Sequence, residues 1–253
     1  MKFADIGGYR RESRPGLPAT CPSCGSAVIA KCGDHRVWHW AHRGAHVCDP
    51  WWESETEWHR AWKNEFPAGW QEVIHTAQDG EKHVADVKTE PGMVIEFQHS
   101  FLKPEERMAR EAFYKKMVWV VDGLRRKRDK PQLLRCIGRC ERYYPPILHA
   151  TNRLEESALL RDWNDSRVPV YFDRGDRPED GKALLWRLDP FSRNYFTPVS
   201  REAFLKMHRE GLDTETQLSD QIAEHLQRAA LEAQLRRQPP QLRYYVNRRR
   251  FRL

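Results

Sequence analysis

The sequence predicts an α/β protein in which a small Cys- and His-rich module precedes an α/β core and a mainly helical region follows it. Four Cys and four His lie within residues 21–48, a density typical of a metal-stapled module. Over residues 50–122 the pattern runs helix, strand, strand, strand, helix, strand, which indicates an α/β core. Further along, residues 214–237 have the spacing of a long polar helix with one apolar stripe.

Turn residues divide the chain into these elements. Gln78-Asp79-Gly80 and Pro91-Gly92 separate three strands of the core, and Pro104 opens a helix whose early Glu and late Lys residues suit the helix dipole. The predicted helices cover residues 51–66, 104–116, 154–163, 200–209 and 214–237, and the predicted strands cover residues 71–77, 82–89, 93–98, 117–121, 132–137, 168–172 and 183–188.

Length and composition exclude several classes of protein. A chain of 253 residues with ten Trp, ten Phe and eight Tyr is long enough for a substantial core and too aromatic for disorder throughout. The longest apolar run, residues 117–121, is far short of the roughly 18 residues of a membrane helix. The first residues lack the apolar stretch of a signal peptide. We therefore expect a cytoplasmic protein without a membrane partner, whose six Cys are metal ligands or buried thiols rather than disulfides.

The Cys and His residues have the spacing of a structural zinc site. A Cys-x-x-Cys knuckle brings two thiolates to one ion, and a tetrahedral site needs two further ligands from downstream. His39 is the main alternative to His42 as the imidazole ligand, with Cys32 and His46 less favoured, and an ordinary pair of buried or redox-active Cys is the non-metal alternative. The preferred zinc ligands are Cys21, Cys24, His42 and Cys48.

Two carboxylates interrupt apolar strands of the core. Asp86 lies in Val-Ala-Asp-Val and Glu96 in Val-Ile-Glu-Phe-Gln, and two neighbouring strands can bring both side chains to one point. Charged groups among apolar residues are costly unless they are paired or bound to metal, and carboxylates suit Mg²⁺ or Mn²⁺. Gln98 follows Glu96 by two residues, so its side chain lies on the same face of the strand. Either carboxylate alone would equally fit a solvated strand edge.

A third group of polar residues precedes these strands. Glu55, His59 and Lys63 are spaced by four residues, which places them on one side of the predicted helix over residues 51–66. Such a stripe is usually a solvated helix face. Its occurrence just before two strands that each carry an acid among apolar residues, in the order helix, strand, strand, favours a functional interpretation.

Taken in order, these motifs resemble the CoiA-like competence protein family, whose core is similar to the PD-(D/E)XK nuclease superfamily. The resemblance covers about residues 20–122. The matching segments are Cys21-Pro-Ser-Cys24, His39-Trp-Ala-His42, Glu53-Ser-Glu-Thr-Glu-Trp-His59 with Lys63, Ala85-Asp86-Val87, Ile95-Glu96-Phe97-Gln98-His-Ser100 and Arg110-Glu-Ala-Phe-Tyr114 followed by Val118-Trp119.

This resemblance implies a zinc-ribbon-like module over residues 1–50 and a restriction-endonuclease-like mixed sheet flanked by helices over residues 51–150, and it leaves residues 151–253 without an assigned role. Asp86 and Glu96 match the metal-binding acids, and Gln98 occupies the position usually filled by Lys. His59 resembles the helical His of RecB-like nucleases, and Lys63 joins this catalytic set by its position. Arg110 and Tyr114 resemble a DNA-binding Gln-x-x-x-Tyr motif in which Arg replaces Gln.

The excess of positive charge lies in the C-terminal tail, because residues 228–253 contain eight Arg and one Glu and account for all of it. The net charge is +7, and residues 239–253, the C-terminal arm, interleave Arg with Tyr and Phe after two Pro. Arg pairs with phosphates and aromatic rings stack on unpaired bases, so we expect the arm to bind DNA, single-stranded DNA in particular. The alternative is a solvated tail whose rings pack on the core. The candidate phosphate contacts are Arg243, Arg248, Arg249, Arg250 and Arg252.

These patterns together favour a divalent-metal-dependent deoxyribonuclease. In this hypothesis Asp86 and Glu96 hold Mg²⁺ or Mn²⁺, Gln98 positions the attacking water, and Lys63 and Arg110 neutralise the phosphate. The expected context is competence, recombination or defence against foreign DNA, with a recombination or defence protein as a further partner. The alternative hypothesis is a catalytically silent DNA-binding or recombination-adaptor protein that keeps the nuclease fold as a platform.

Overall fold

A computed structural model describes residues 1–44, 48–143, 148–150, 153–176, 183–189, 192–210 and 214–237. Within these ranges the protein has mixed α/β architecture, with two sheets and six α-helices. None of the described helices combines the length and the apolar character needed to cross a membrane. The arm over residues 239–253, with Arg243, Arg248, Arg249, Arg250 and Arg252, lies outside the described residues.

The smaller sheet is N-terminal and wholly antiparallel. Its order is β2-β1-β3-β4-β5. Only a few side chains, among them Ala4, Val28 and Trp40, form its core, so this sheet gains little stability from apolar burial. The strands are β1 (Phe3–Ile6), β2 (Tyr9–Glu12), β3 (Ala19–Thr20), β4 (Ala27–Lys31) and β5 (His39–His42).

The larger sheet comprises nine strands of the described chain, in the order β10-β11-β14-β13-β12-β9-β8-β7-β6. Strand β9 pairs in parallel with both β8 and β12, and the other pairings are antiparallel. The strands are β6 (Gln71–Thr76), β7 (Lys82–Lys88), β8 (Val94–Gln98), β9 (Met117–Asp122), β10 (Glu141–Tyr143), β11 (Leu148–Ala150), β12 (Val170–Asp173), β13 (Leu184–Asp189) and β14 (Ser192–Ser200).

Helices cover both faces of this sheet, which is why the residues of β9 are buried on both sides. Trp119 and Val121 of β9 pack with side chains of the second, third and fourth helices. Val118 and Val120 pack on the opposite face with the first and fifth helices, and Leu218 of the sixth contacts the same cluster. The helices are α1 (Glu57–Asn64), α2 (Pro104–Tyr114), α3 (Asp129–Gly138), α4 (Ala158–Trp163), α5 (Arg201–Arg209) and α6 (Thr214–Arg237), with 3₁₀ turns at Ala68–Trp70 and Leu154–Glu156.

The predicted order of elements in the core is confirmed, with one large shift of a boundary. The helix predicted over residues 51–66 covers only Glu57–Asn64. Thr56 is its N-cap, because its hydroxyl accepts a hydrogen bond from the amide of His59. Residues 51–56, which precede it, form no helix.

The region after residue 123 differs from the prediction in two respects. The strand predicted over residues 132–137 is wrong, because this segment is helix α3, whose Leu133 and Cys136 are three residues apart and both enter the core. The expected helices α4, α5 and α6 are present. Strands β12 and β13 confirm the strands predicted over residues 168–172 and 183–188, whereas β10, β11 and β14 were not predicted. All five extend the sheet beyond β9, so the sheet continues past residue 150.

Candidate metal centre and active site

Four side chains converge at the edge of the N-terminal sheet. The ligand atoms of Cys21, Cys24, His42 and Cys48 all lie within 4.8 Å of one another. Cys21 follows β3, and the amide of Gly25 donates to its carbonyl over 2.8 Å. Gly25 has a φ of +72°, a conformation that glycine adopts without steric cost. This turn brings Cys24 to within 3.3 Å of His42 Nε2.

The four side chains form a donor set that zinc prefers. Three thiols and one imidazole satisfy a tetrahedral structural site. Burial, together with the neighbouring thiols, raises the pKa of Cys48 to about 12, so a cation is needed to keep this thiolate ionised. His39 is not part of the cluster, and its Nδ1 lies 2.9 Å from the carbonyl of Val37. The preferred set of the sequence prediction therefore comes together and could hold a zinc ion; His46 lies outside the described residues.

A half-buried acid, Asp86, and a buried acid, Glu96, face each other between β7 and β8. The ladder between these strands pairs Val87 with Ile95 and Lys88 with Val94. Next to it, the amide of Asp86 donates to Glu96 Oε1 over 3.1 Å, and the amide of Phe97 donates to Asp86 Oδ2 over 3.0 Å. Each carboxylate therefore accepts a backbone hydrogen bond from the other's strand, and this brings the two predicted acids together.

The ionised form of both acids is disfavoured. Burial raises the pKa of Asp86, although the charge of Lys63 opposes the shift. Burial and the charge of Asp86 raise the pKa of Glu96 to about 8, against the opposing charge of Arg110. Two neighbouring carboxylates with raised pKa values gain free energy from a cation that both can bind.

Lys63 lies on the α1 side of these acids in a network of ion pairs. Its Nζ is 2.7 Å from Glu55, 2.9 Å from Glu72 and 3.9 Å from Asp86. Burial by itself lowers the pKa of Lys63, but three surrounding carboxylates outweigh this and hold it above its ordinary value. Glu55 also pairs with Arg60. The predicted stripe of Glu55, His59 and Lys63 thus faces the protein interior instead of solvent.

Glu72 is a part of this network that the sequence did not reveal. It has a φ of +46° in β6, an unfavourable conformation for a residue with a side chain. Its carboxylate accepts hydrogen bonds from the amides of Lys2 and Phe3. Burial opposes ionisation, but Lys63, the α-amino group of Met1 and these amides lower the pKa of Glu72 to about 2. The N-terminal strand is thereby attached to the core at the site.

His59 holds the backbone of the strand that carries Glu96. Its Nε2 donates to the carbonyl of Phe97 over 2.9 Å, and its Nδ1 accepts from the hydroxyl of Thr56 over 3.0 Å. These partners require the proton on Nε2. The carbonyl that His59 binds belongs to the residue between Glu96 and Gln98.

Arg110 and Tyr114 of α2 lie inside the protein at the same site. Arg110 donates to Glu96 Oε2 over 3.2 Å, to the carbonyl of Trp51 over 2.7 Å and to Glu106 over 2.5 Å. Tyr114 is buried, and burial raises its pKa above the ordinary value. Arg110 therefore supplies positive charge next to Glu96.

Residues 48–53 connect the Cys/His cluster to these acids. Next to Cys48, Asp49 accepts hydrogen bonds from the amide of Val84 over 2.8 Å and from His83 over 2.9 Å. Glu53 accepts a hydrogen bond from the side chain of Gln98 over 2.8 Å. No local pattern signals the roles of Asp49 and Glu53, because their partners are distant in the chain.

One cleft is lined by residues of both the Cys/His cluster and the site around Asp86 and Glu96. It has a volume of about 280 Å³. His42 and Cys48 of the Cys/His cluster line one side. The other lining side chains that belong to the core site are Glu53, Glu55, His59, Lys63, Glu72, Asp86, Glu96, Arg110 and Tyr114.

The fold and the site define a mixed α/β protein with a Cys₃His cluster beside a pair of neighbouring carboxylates. Residues 17–50 match the family model described as Competence protein CoiA, N-terminal domain. This segment contains all four residues of the cluster, and its sequence is similar to that domain. No curated protein and no solved structure matches the chain significantly.

Proposed function

We propose that this protein is a divalent-metal-dependent deoxyribonuclease with a restriction-endonuclease-like core of the PD-(D/E)XK type. The observation that carries the proposal is the reciprocal hydrogen bonding of Asp86 and Glu96, which puts two acids side by side at one end of a β7–β8 ladder. The order α1-β6-β7-β8-α2-β9, with one acid on each of the two central strands, supports the core type. Acting on DNA during competence, recombination or defence fits the CoiA-like N-terminal segment.

Asp86 and Glu96 are the residues that would hold the catalytic cation. Oxygen donors fit Mg²⁺ or Mn²⁺, and the raised pKa values of both carboxyl groups fit a site that gains from an added positive charge. When bound, such an ion polarises a phosphate and lowers the pKa of a coordinated water.

The side chains around Asp86 and Glu96 supply positive charge and fix the position of the strand that carries Glu96. Arg110 lies 3.2 Å from Glu96 and Lys63 lies 3.9 Å from Asp86. Both place positive charge beside the acids, where it favours binding of a phosphate and stabilises the negative charge that builds up during cleavage. His59 fixes the carbonyl of Phe97 and so sets the direction of the strand between Glu96 and Gln98. Gln98 can accept a hydrogen bond from a water at the site.

The Cys₃His module would act as a structural zinc module that forms one wall of the cleft. Its small core makes a metal staple necessary for stability. Because residues 48–53 connect this module to β7, α2 and β8, a folded module holds Arg110 and Gln98 in place.

The test is cleavage of plasmid and single-stranded DNA with Mg²⁺ or Mn²⁺. Wild type is expected to cut, whereas Asp86→Asn and Glu96→Gln are expected to fall to the background rate, because neutral amides keep the shape and lose the charge. Asp79→Asn, in the exposed turn before β7, is the matched control and should cut at the wild-type rate. Cutting by Asp86→Asn at the wild-type rate would contradict the assignment.

A catalytically silent DNA-binding or adaptor protein is the second candidate. One observation favours it: no Lys follows Glu96 in the usual place, and Lys63 is held by Glu55 and Glu72. This candidate predicts DNA binding with no metal-dependent cleavage of any substrate, and binding that Asp86→Asn leaves unchanged or strengthens.

A further inference from the structure

The side-chain amide of Gln98 has a fixed orientation. Its Nε2 lies 2.8 Å from Glu53 Oε2 and 3.3 Å from the carbonyl oxygen of Ser100. A carboxylate and a carbonyl can only accept hydrogen bonds. The amide nitrogen, which donates, must therefore face Glu53 and Ser100, and the amide oxygen must point the other way.

That amide oxygen is buried without a partner among the described residues. Gln98 as a whole is only 2% exposed. A buried acceptor with no donor costs free energy, so its presence indicates a ligand that supplies a donor or a positive charge. Gln98 and Glu96 are two residues apart on β8 and share one face of the strand.

Glu53 is itself held in place for this contact. Its second oxygen, Oε1, accepts a hydrogen bond from the amide of Ser100 over 3.1 Å. Both oxygens of Glu53 therefore bind the segment that ends β8. Glu53 also lines the cleft that contains Asp86 and Glu96.

We propose that Gln98 acts as an acceptor, with its amide oxygen a ligand of the divalent cation held by Asp86 and Glu96, and that Glu53 is the positioning residue that fixes this orientation. Side-chain amide oxygens are ordinary ligands of hard cations. The inference rests on the cation site of the proposed function. In Gln98→Lys the acceptor would be lost, because the lysine ammonium at this position would pair with Glu53.

The experiment measures Mn²⁺ binding to the full chain by electron paramagnetic resonance and by calorimetry, with DNA cleavage measured in parallel. Gln98→Lys is expected to weaken Mn²⁺ binding by about tenfold or more, the size typical of a disturbed metal shell. Glu53→Gln is expected to weaken it severalfold, because a Gln at position 53 lets the amide of Gln98 turn over. Gln98→Glu alone is expected to weaken it as well, because two carboxylates then face each other.

The double variant Glu53→Gln/Gln98→Glu is the decisive comparison. The Gln at position 53 can donate to one oxygen of the Glu at position 98 and leave the other oxygen free to bind the ion. We expect Mn²⁺ affinity to return to at least the wild-type value. Glu202→Gln, on the exposed surface of α5, is the control for loss of a carboxylate and should leave the Mn²⁺ affinity unchanged. Thermal unfolding of each variant shows whether it is folded.

Two results would overturn the inference: wild-type Mn²⁺ binding by Gln98→Lys, or a double variant weaker than both single variants. Absence of Mn²⁺ binding by wild type would overturn it too. Failure of the proposed function is a different result, in which wild type binds Mn²⁺ and Asp86→Asn does not, yet no DNA is cut. The binding data then still decide the role of Gln98.

Discussion

Asp86 and Glu96 are bound to each other's strand: the amide of Asp86 donates to the carboxylate of Glu96, and the amide that follows Glu96 donates to the carboxylate of Asp86. Both acids therefore have a fixed position before any ion binds. Such preorganisation limits the entropy lost when an ion or a phosphate is bound. It also means that amide substitutions at these positions test charge rather than shape.

Zinc content is the first prediction. Purified protein is expected to contain one zinc ion per chain, because three thiols and one imidazole lie within 4.8 Å of one another. The double variant Cys21→Ser/Cys24→Ser should lose the metal and unfold at a lower temperature, since the binding energy of a structural zinc is folding energy. Cys32→Ser is the matched control and should keep its zinc. Elemental analysis and thermal unfolding measure both effects, and zinc retained by the double variant would contradict the assignment.

The stability of the Mg²⁺-free protein should fall as the pH rises from about 6 to about 8.5. The pKa of Glu96 is raised from 4.5 to about 8, so in this range the folded protein holds a proton that the unfolded chain has released. The folded state binds more protons, and the free energy of unfolding therefore decreases with pH.

Glu96→Gln and added Mg²⁺ separate this effect from others. Between the two pH values, the free energy of unfolding should decrease less for Glu96→Gln than for wild type. Mg²⁺ should stabilise wild type more at the higher pH, where both acids can ionise. Urea unfolding at the two pH values measures the differences. Equal pH dependence in wild type and variant would show that Glu96 does not carry the effect.

Removal of the ammonium group of Lys63 should destabilise the protein strongly. Lys63→Met leaves Glu55 and Glu72 buried without their shared partner, and breaking a buried ion pair in this way costs about 3–5 kcal/mol. Urea unfolding at neutral pH measures the loss. Glu224→Gln, which removes an exposed partner of Arg228, should change stability very little. If Lys63→Met lost no more stability than Glu224→Gln, the ion pairs of Lys63 with Glu55 and Glu72 would not be important for the stability of the fold.

Acid should remove the stabilisation that comes from Glu72. Its pKa is lowered from 4.5 to about 2, so its contribution is complete above about pH 4.5 and is lost as the pH falls towards 2. Glu72→Gln should therefore be less stable than wild type at pH 7, and the difference should shrink at about pH 3. A difference that stays constant between these pH values would show that the ionised carboxylate is not what stabilises the fold.

The C-terminal arm gives a prediction about DNA affinity. Replacing Arg243, Arg248, Arg249, Arg250 and Arg252 by Gln keeps the aromatic residues and removes five candidate phosphate contacts. The slope of log affinity against log salt for single-stranded DNA should flatten by roughly 3–4, at about 0.7 per contact. Deletion of residues 241–253 should have at least this effect. An unchanged slope in the variant with five substitutions would show that the arm is not an electrostatic DNA-binding element.

Local patterns in the sequence were sufficient for several parts of the site. The Cys-x-x-Cys knuckle and its return spacing identified the set Cys21, Cys24, His42 and Cys48, because the geometry of a metal site restricts ligand spacing. Alternation of apolar residues placed Asp86 and Glu96 in adjacent strands, because turn residues mark where strands end.

Other features were decided by contacts between residues far apart in the sequence. Residues 132–137 are apolar enough for a strand or a helix, and packing of Leu133 and Cys136 against the core selected the helix. The extension of the sheet by β12 depends on parallel pairing with β9, about 50 residues earlier, which no local pattern encodes.

The same distinction applies to the polar groups of the cleft. The sequence determined which residue types are present: acids on β7 and β8, a Gln at position 98, and Glu53 and Glu72 in polar segments. Only the tertiary structure decided that Glu53 orients Gln98 over a separation of 45 residues and that Glu72 pairs with Lys63. The physical reason is that burial makes charged groups and hydrogen-bonding atoms find partners wherever the fold brings one within reach, and the fold itself is set by the apolar core.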